Sequence, residues 1–303
     1  MPQLGRLEPL KDPIIILLGA NGFLGRNLQH YWKKAQVIVN PVLRGETFEQ
    51  WTARAVEFDS QGHHVSIVNC IAISELAACE KDPAGAIAIN AELPKRIGAF
   101  SREHGMPFIQ ISSDGLFPNT TMEQAPHYWS QDNTAPITVY GQSKIQAENY
   151  LRELRWGHAL RLSFIGEGFG TDRGLLTFLA KSLRNPQAVV NGFTNVWFNP
   201  IHTEDVAAEL LHLLSSEDNG FTVHQWGSFP AITKYDFLDQ VAKRAGIAHQ
   251  MHPVTYQNGP GVKLVPLDQS MKCSKSWDLD HLINLSAASL ASEMKQRGEK
   301  VQA

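Results

Sequence analysis

The chain has 303 residues, with 27 Lys and Arg against 30 Asp and Glu for a formal charge of -3. At 43% hydrophobic and 19% charged residues, the composition is that of an ordinary globular protein with one large or two ordinary domains. It provides no basic field for nucleic acid, and its longest aliphatic run, Ile14–Leu18, is far short of the roughly 20 residues that span a bilayer.

Residues 1–12 lack a signal peptide's apolar segment, so the expected location is the cytoplasm. Ile14–Leu18 reads as a buried strand, and Gly19-Ala20-Asn21-Gly22-Phe23-Leu24-Gly25 follows at once. Leu24, Leu28, Tyr31 and Trp32 then recur at helical spacing. Strand, glycine turn and helix in that order open a dinucleotide-binding βαβ unit. The first glycine permits the turn, the second lets backbone approach a pyrophosphate, and the third lets helix pack on strand. Gln36–Val39 is the expected second strand. An acidic residue commonly follows there to bond the adenosine ribose, but Asn40 stands at that place and Arg44 comes soon after. Without a carboxylate to repel it, a 2′-phosphate can pair with Arg44, which favours NADPH over NADH. The alternative is that Arg44 is simply a solvated loop residue.

Glu46–Phe58 has helical spacing, and Val56–Asp59 is the best candidate for a third strand. Val65–Ile73 reads as a buried strand, with the small Ala72 at its end suited to lie beside a cofactor ribose. Asp82–His104 is helical, bent or divided at Pro94 and Gly98, and stops at Gly105. Pro107–Ile111 is a strand ending in Ser112-Ser113-Asp114-Gly115. The long polar segment Pro118–Pro136 leads to Tyr140-Gly-Gln-Ser-Lys144. Four residues apart on a helix, Tyr140 and Lys144 share one face. An ammonium beside a phenol of ordinary pKa about 10 favours phenolate and makes proton transfer feasible near neutrality. Ser113, at a neighbouring strand end, can bond the same substrate oxygen.

In the second half, Gly174–Asn185 reads as a helix and Val196–Ile201 as extended. Thr203–Leu214 reads as a helix capped by Thr203, with Glu204 and Asp205 in its first turn. His202 and Asp205 are read as structural rather than catalytic. Helices are also expected at Tyr235–Ala245 and Leu282–Met294, with a loop at Gly259–Gly261 and a frayed end after Gly298. Cys70, Cys79 and Cys273 suit no disulfide framework, and neither they nor the histidines show metal-site spacing.

These motifs together resemble the extended short-chain dehydrogenase/reductases, and within them the dTDP-4-dehydrorhamnose reductase family. The likeness is carried by GANGFLG at 19–25, NCIAISELAACEKDP at 69–83, NAELPKRIGAFSREHGMPFIQISSDGLF at 90–117, APITVYGQSKIQAE at 135–148, LRLSFIG at 160–166 and NPIHTEDVAAELL at 199–211. It implies an α/β fold: a Rossmann-type doubly wound parallel sheet over 13–165, using about 196–225 as well. A smaller, noncontiguous α/β substrate domain would comprise 166–195 and 226–303. The implied cofactor site is Gly19, Asn21, Gly22, Phe23, Leu24, Gly25, Arg44, Ile71, Ala72, Asn90, Tyr140 and Lys144. The implied catalytic set is Ser113, Tyr140 as general acid, and Lys144 holding the ribose and depressing the tyrosine pKa. Asp114, Phe117, Ser163, Phe164 and Ile165 would meet substrate.

The resemblance implies NADPH-dependent reduction of a nucleotide-linked 4-keto-6-deoxy sugar by a homo-oligomer without nucleic-acid or membrane partners. Gly115 stands where the rhamnose-pathway reductase often has tyrosine, and the Ser113–Tyr140 loop is a few residues longer, so the identity of the sugar stays open. Gly115 also argues against a 4,6-dehydratase. Three alternatives remain: an epimerase, a dehydrogenase running in the oxidative direction, and a non-catalytic NADP-binding subunit like the regulatory subunit of methionine adenosyltransferase.

Overall fold

In the computed structural model, which describes residues 13–118, 126–185, 187, 189–216, 218–257 and 267–296, Ile14–Leu18 form strand β1. Every residue of it is buried, which is why the run has no polar member. Helix α1 (Phe23–Lys34) turns Leu24, Leu28 and Trp32 inward and ends in Lys33 and Lys34, where the helix dipole favours cations. Strand β2 (Ile38–Pro41) pairs parallel with β1 at the sheet edge.

Helix α2 (Phe48–Ser60) corrects the expected strand at Val56–Asp59. Thr47 and Gln50 form a capping box at its start, and Trp51, Thr52 and Ala55 are buried at helical spacing, so the helix runs through. Strand β3 (Val65–Asn69) stops before Ile73, because Asn69 Oδ1 accepts the Ile71 amide and turns the chain out of the sheet. Helices α3 (Leu76–Lys81) and α4 (Pro83–Ile87), a π-helical turn at Ala88–Glu92 and helix α5 (Leu93–Glu103) follow. The stretch divides just before Pro94, as expected, but Gly98 does not interrupt α5. A Cβ on Gly98 would lie 2.5 Å from Leu151 Cδ2, so its role is close helix packing.

Strand β4 (Phe108–Ile111), helix α6 (Val139–Leu154) and strand β5 (His158–Ile165) complete the first half. The second half runs α7 (Leu175–Ser182), β6 (Val189–Phe193), β7 (Trp197–Phe198), β8 (Pro200–His202), α8 (Thr203–Leu214) and β9 (Thr222–Phe229). It ends with β10 (Ile232–Thr233), α9 (Lys234–Arg244), β11 (Gln250–Val254), β12 (Asp268–Gln269), β13 (Lys275–Asp278) and α10 (Leu279–Gln296). The cap of α8 is His202, whose side chain accepts the Glu204 amide. Thr203, the expected cap, instead donates its hydroxyl to Asn27 Oδ1 at 2.8 Å. The expected loop at Gly259–Gly261, both chain ends and residues 119–125 of the polar segment lie outside the described residues.

The main sheet has the order β13-β9-β5-β4-β3-β1-β2, all parallel, with β8 also pairing β5. The chain steps outward from β1 to β2, then returns to place β3 on the other side of β1. Ligands in such sheets bind where the order reverses, at the strands' carboxyl ends. Alternating residues of the sheet feed two cores. Ile15, Leu17, Ile109 and Leu160 meet Leu28, Trp32 and Leu210, while Ile16, Ile67 and Phe108 meet Trp51, Ile97 and Leu151. A third cluster, around Leu176, Phe198, Phe237, Ile283 and Leu290, joins α7, α9 and α10. Among the described residues no helix is long and apolar enough to cross a membrane, and no group of three His, Cys, Asp or Glu side chains is placed to hold a metal ion.

Candidate active site

β1 runs into Gly19, whose φ of +77° suits glycine, and a Cβ there would lie 2.8 Å from the backbone of Cys70 and Ile71. A Cβ on Gly25 would strike the Gly19 carbonyl oxygen and come within 2.8 Å of Ala20 Cα. These two glycines let the first turn of α1 sit against the ends of β1 and β3. Gly22 precedes α1 without a side-chain cap, and no acidic residue occupies the first turn. The amides of Phe23, Leu24 and Gly25 therefore face outward with the positive end of the helix dipole behind them.

A cavity of about 260 Å³ opens on these amides and continues past Ala72 and Phe164 to Tyr140 and Lys144. Phe23 stacks on Phe164 at 5.7 Å between ring centroids and makes one wall. Uncapped amides, a cradle that no Cβ fills and a cation at the far end fit a nicotinamide dinucleotide, with its pyrophosphate on α1.

Thr138 accepts the Gly141 amide at 3.0 Å and so starts α6, which puts Tyr140 and Lys144 in its first turns. Lys144 Nζ donates to the Ile111 carbonyl at 2.6 Å. Burial pushes its pKa down to about 8, and Glu148 one turn later pulls it back up. Burial pushes the Tyr140 phenol up to about 12, while Ser113 beside it acts in the opposite direction. The expected lowering of the Tyr140 pKa by Lys144 is thus absent in the protein alone: desolvation of the phenol dominates, and the ammonium is engaged at Ile111. Ser113 is buried, and its Oγ accepts the Gly115 amide at 3.0 Å and donates to Asp114 Oδ1 at 3.3 Å.

The fold thus brings Gly22, Phe23, Leu24, Gly25, Ala72, Phe164, Tyr140 and Lys144 around one cavity, with Ser113 and Asp114 next to Tyr140 and Ser163 next to Asp114. Other expected contacts go elsewhere. Asn90 binds both polar backbone groups of Ile73 and donates to Ser143, so it ties the chain after β3 to α6 rather than facing the cavity. Ile71 packs against the Trp51 cluster, and Ile165 is buried in the cluster of α7, α9 and α10. Phe117 is wholly buried beneath the Arg161 guanidinium. Asn21 and Arg44 are exposed on turns outside the cavity lining.

Sequence reasoning missed Cys70, Ser74, Arg173 and Gly174, which also border the cavity. It missed Ser112 too, whose hydroxyl donates to Glu148 Oε1 at 2.6 Å beneath Lys144. The described end of the long polar segment is pinned down rather than loose: His127 Nδ1 lies 2.5 Å from the buried Asp268, and the Trp129 amide donates to the Ser270 carbonyl at 3.0 Å.

The chain is 31% identical over 199 residues to the "Probable low-salt glycan biosynthesis reductase Agl14" of Haloferax volcanii, a match covering 64% of this chain and 64% of that protein. The chain therefore spans slightly less than two thirds of that relative. It is 25% identical to methionine adenosyltransferase 2 subunit beta of Pongo abelii, over 86% of this chain and 80% of that one. Its fold is similar to the crystal structure of dTDP-4-dehydrorhamnose reductase from Bacillus anthracis in complex with NADP. The TM-score is 0.74 at 18% identity, covering 93% of this chain and 97% of the other. Residues 14–288 match the RmlD substrate binding domain family, nearly the whole described chain, and to that family, of extended short-chain dehydrogenase/reductase type, this chain belongs.

Proposed function

We propose that this chain is an NADPH-dependent reductase of a nucleotide-linked 4-keto-6-deoxy sugar. The carrying observation is that Tyr140, with Ser113 beside it, and Lys144 stand at one end of a cavity whose other end is the uncapped first turn of α1. When bound there, the dinucleotide supplies a hydride to the keto carbon. Tyr140 gives its proton to the oxygen that becomes an alkoxide, and Ser113 donates a hydrogen bond to the same oxygen. A phenol pushed up to about 12 keeps its proton at neutral pH, as an acid must in the reductive direction. With the cofactor bound, Lys144 would hold the ribose, and its charge would favour the phenolate left behind. Arg44, exposed on the turn after β2, would meet the 2′-phosphate of NADPH. Family membership and the reductase among the relatives support the reading, and a cytoplasmic location suits the reductant.

A second reading, a regulatory NADP-binding subunit, is favoured by the long match to the methionine adenosyltransferase subunit. Loss of NADPH absorbance with dTDP-, UDP-, GDP- and CDP-linked 4-keto-6-deoxy sugars separates the two. The reductase oxidises NADPH with one of them, and Tyr140→Phe slows it about 10²–10⁴-fold while still binding NADPH. Cofactor binding without turnover of any sugar, in a protein that co-purifies with a larger partner, overturns the reductase.

A further inference from the structure

The chain leaves β2 beside the glycine turn. The Val42 amide donates at 3.0 Å to the carbonyl of Leu17, two residues before Gly19, and Leu43–Glu46 lead from there to the cap of α2. At this place a dinucleotide fold meets the adenosine ribose, and an acidic residue here selects NADH by accepting its 2′-hydroxyl. An acid does stand here, but it is turned back on its own loop. The Glu46 amide donates to the Leu43 carbonyl at 3.1 Å, and Glu46 Oε2 accepts the Leu43 amide at 3.0 Å. Its Oε1 accepts from Nη1 of Arg54, in the second turn of α2, and this bond holds the Glu46 carboxyl below its ordinary pKa and hence ionised at neutral pH. A guanidinium can meet a carboxylate through two parallel bonds, yet here the second oxygen goes to Leu43. Arg54 Nε and Nη2 are buried without a hydrogen-bond partner among the described residues, so Glu46 is the one counter-charge Arg54 has there. Arg44 is exposed and makes no interaction among the same residues. The N-terminus of α2 offers an anion nothing, because the capping box of Thr47 and Gln50 fills it and Glu49 lies in its first turn.

We propose that Arg54 is a positioning residue for cofactor choice: it keeps the Glu46 carboxylate paired and turned toward the Leu43 amide, so that the loop after β2 admits the 2′-phosphate of NADPH. The proposal rests on the NADPH-dependent reading above and adds to it the group that makes a carboxylate in this loop compatible with that phosphate. With Arg54 in place the charge of Glu46 is cancelled within the pair, and Arg44 is the cation left over for an anion. Without Arg54 the carboxylate keeps its charge, and the nearest cation along the chain is Arg44, two residues earlier. A Glu46 that pairs with Arg44 takes the cation from the phosphate, and a Glu46 that stays free repels the phosphate directly. Both outcomes favour NADH. The ion pair spans eight residues and two elements, so the loop sequence by itself reads as an acid that should exclude NADPH.

The test is fluorescence titration of the full chain with NADPH and with NADH, in low salt and in 1 M salt. In low salt Arg54→Met binds NADPH about tenfold or more weakly than the wild type, while NADH affinity stays within about threefold or rises. In 1 M salt, where the Debye length is about 3 Å, most of that difference disappears. The double variant Arg54→Met/Glu46→Gln returns to within about threefold of wild-type NADPH affinity, because the carboxylate that opposed the phosphate is gone. Equal losses for both cofactors, no loss for either, or a double variant as weak as Arg54→Met overturns the proposal and leaves Arg54 a structural partner of α2. If Arg54→Met does not fold, Glu46→Gln decides. Its NADPH-to-NADH affinity ratio rises at least about threefold over the wild type, since the guanidinium is then unopposed, and an unchanged or lower ratio overturns the proposal. A wild type that binds NADPH no better than NADH overturns the NADPH reading and the proposal together. A wild-type preference for NADPH that survives in every variant overturns the proposal alone.

Discussion

Glu148 accepts both arms of Arg161, at 3.0 Å from Nε and 2.6 Å from Nη2, and each side chain is only 1% exposed. The pair joins α6 to β5 one helical turn after Lys144. Ser112 shares Glu148 Oε1, and the other arm of Arg161 donates to the Gln131 carbonyl and to Gln225. Removing one partner strands a buried charge, whereas removing both does not. Glu148→Gln is therefore expected to lose about 3–5 kcal/mol of unfolding free energy, and Arg161→Met a similar amount. The double variant should lose less than the sum by at least about 1 kcal/mol in a urea double-mutant cycle. Strict additivity would show that the pair adds no coupling. Glu148 also raises the Lys144 pKa, so Glu148→Gln should leave Lys144 neutral at a lower pH than in the wild type.

Gly25→Ala tests the packing of the glycine turn. Its Cβ must displace backbone at Gly19 and Ala20, neither of which has a flexible side chain to yield. Overpacking of this kind costs about 1–3 kcal/mol, and the shift moves the amides of α1 away from the anion they face. NADPH affinity, read by fluorescence titration, should fall at least about tenfold for a displacement worth 1.4 kcal/mol. A variant that binds NADPH as the wild type does would remove the glycine turn from the cofactor site.

What was legible in the sequence was local. The glycine turn and the Tyr140–Lys144 spacing each lie within one turn or helix, where backbone geometry alone sets which groups meet. Val56–Asp59 misled because the alternation Val-Glu-Phe-Asp is only four residues long, and the capping box at Thr47 and Gln50 decided for helix. Ile165, the last residue of β5, alternates into the core rather than the cavity, and Phe117, in the turn after β4, is buried against Arg161. Asn90 was read from position, while its hydrogen bonds to Ile73 depend on a loop whose path no local rule gives. Lys234 comes to act on Asp114, and Gln269 to stand beside Gly115, only through the topology. One signal was available: a lysine directly after the cap Thr233, whose side chain accepts the Asp236 amide, opposes the helix dipole and marks a residue held there for another reason.

Arg44 is exposed beyond β2 and makes no interaction among the described residues, so its removal should leave folding untouched. If it pairs with the 2′-phosphate, Arg44→Ala weakens NADPH binding by about 10-fold or more, in line with a charge-assisted hydrogen bond, and leaves NADH binding unchanged. Parallel titrations with the two cofactors read the difference directly. An equal effect on both, or none on either, would assign the phosphate to another group such as Arg173 on the cavity rim.

His202 gives a pH dependence whose sign follows from its burial. It caps α8 through Nδ1 and lies 3.0 Å from Ser289 Oγ through Nε2, and burial, reinforced by His281, pushes its pKa down to about 4. In the unfolded chain the ring titrates near its ordinary value of about 6.5. Between those two values the unfolded state binds a proton that the folded state refuses, so stability falls as pH drops through that window and is fully present above it. From pH 7 to pH 5 this one ring should remove about 2 kcal/mol. Asn at this position keeps an acceptor for the Glu204 amide and does not titrate. In urea unfolding, His202→Asn should therefore show a shallower loss of stability over that range than the wild type, with the residual slope assigned to His158 and His224, whose pKa values burial also lowers. Parallel curves for the two proteins would mean that His202 is not the group whose protonation opposes folding.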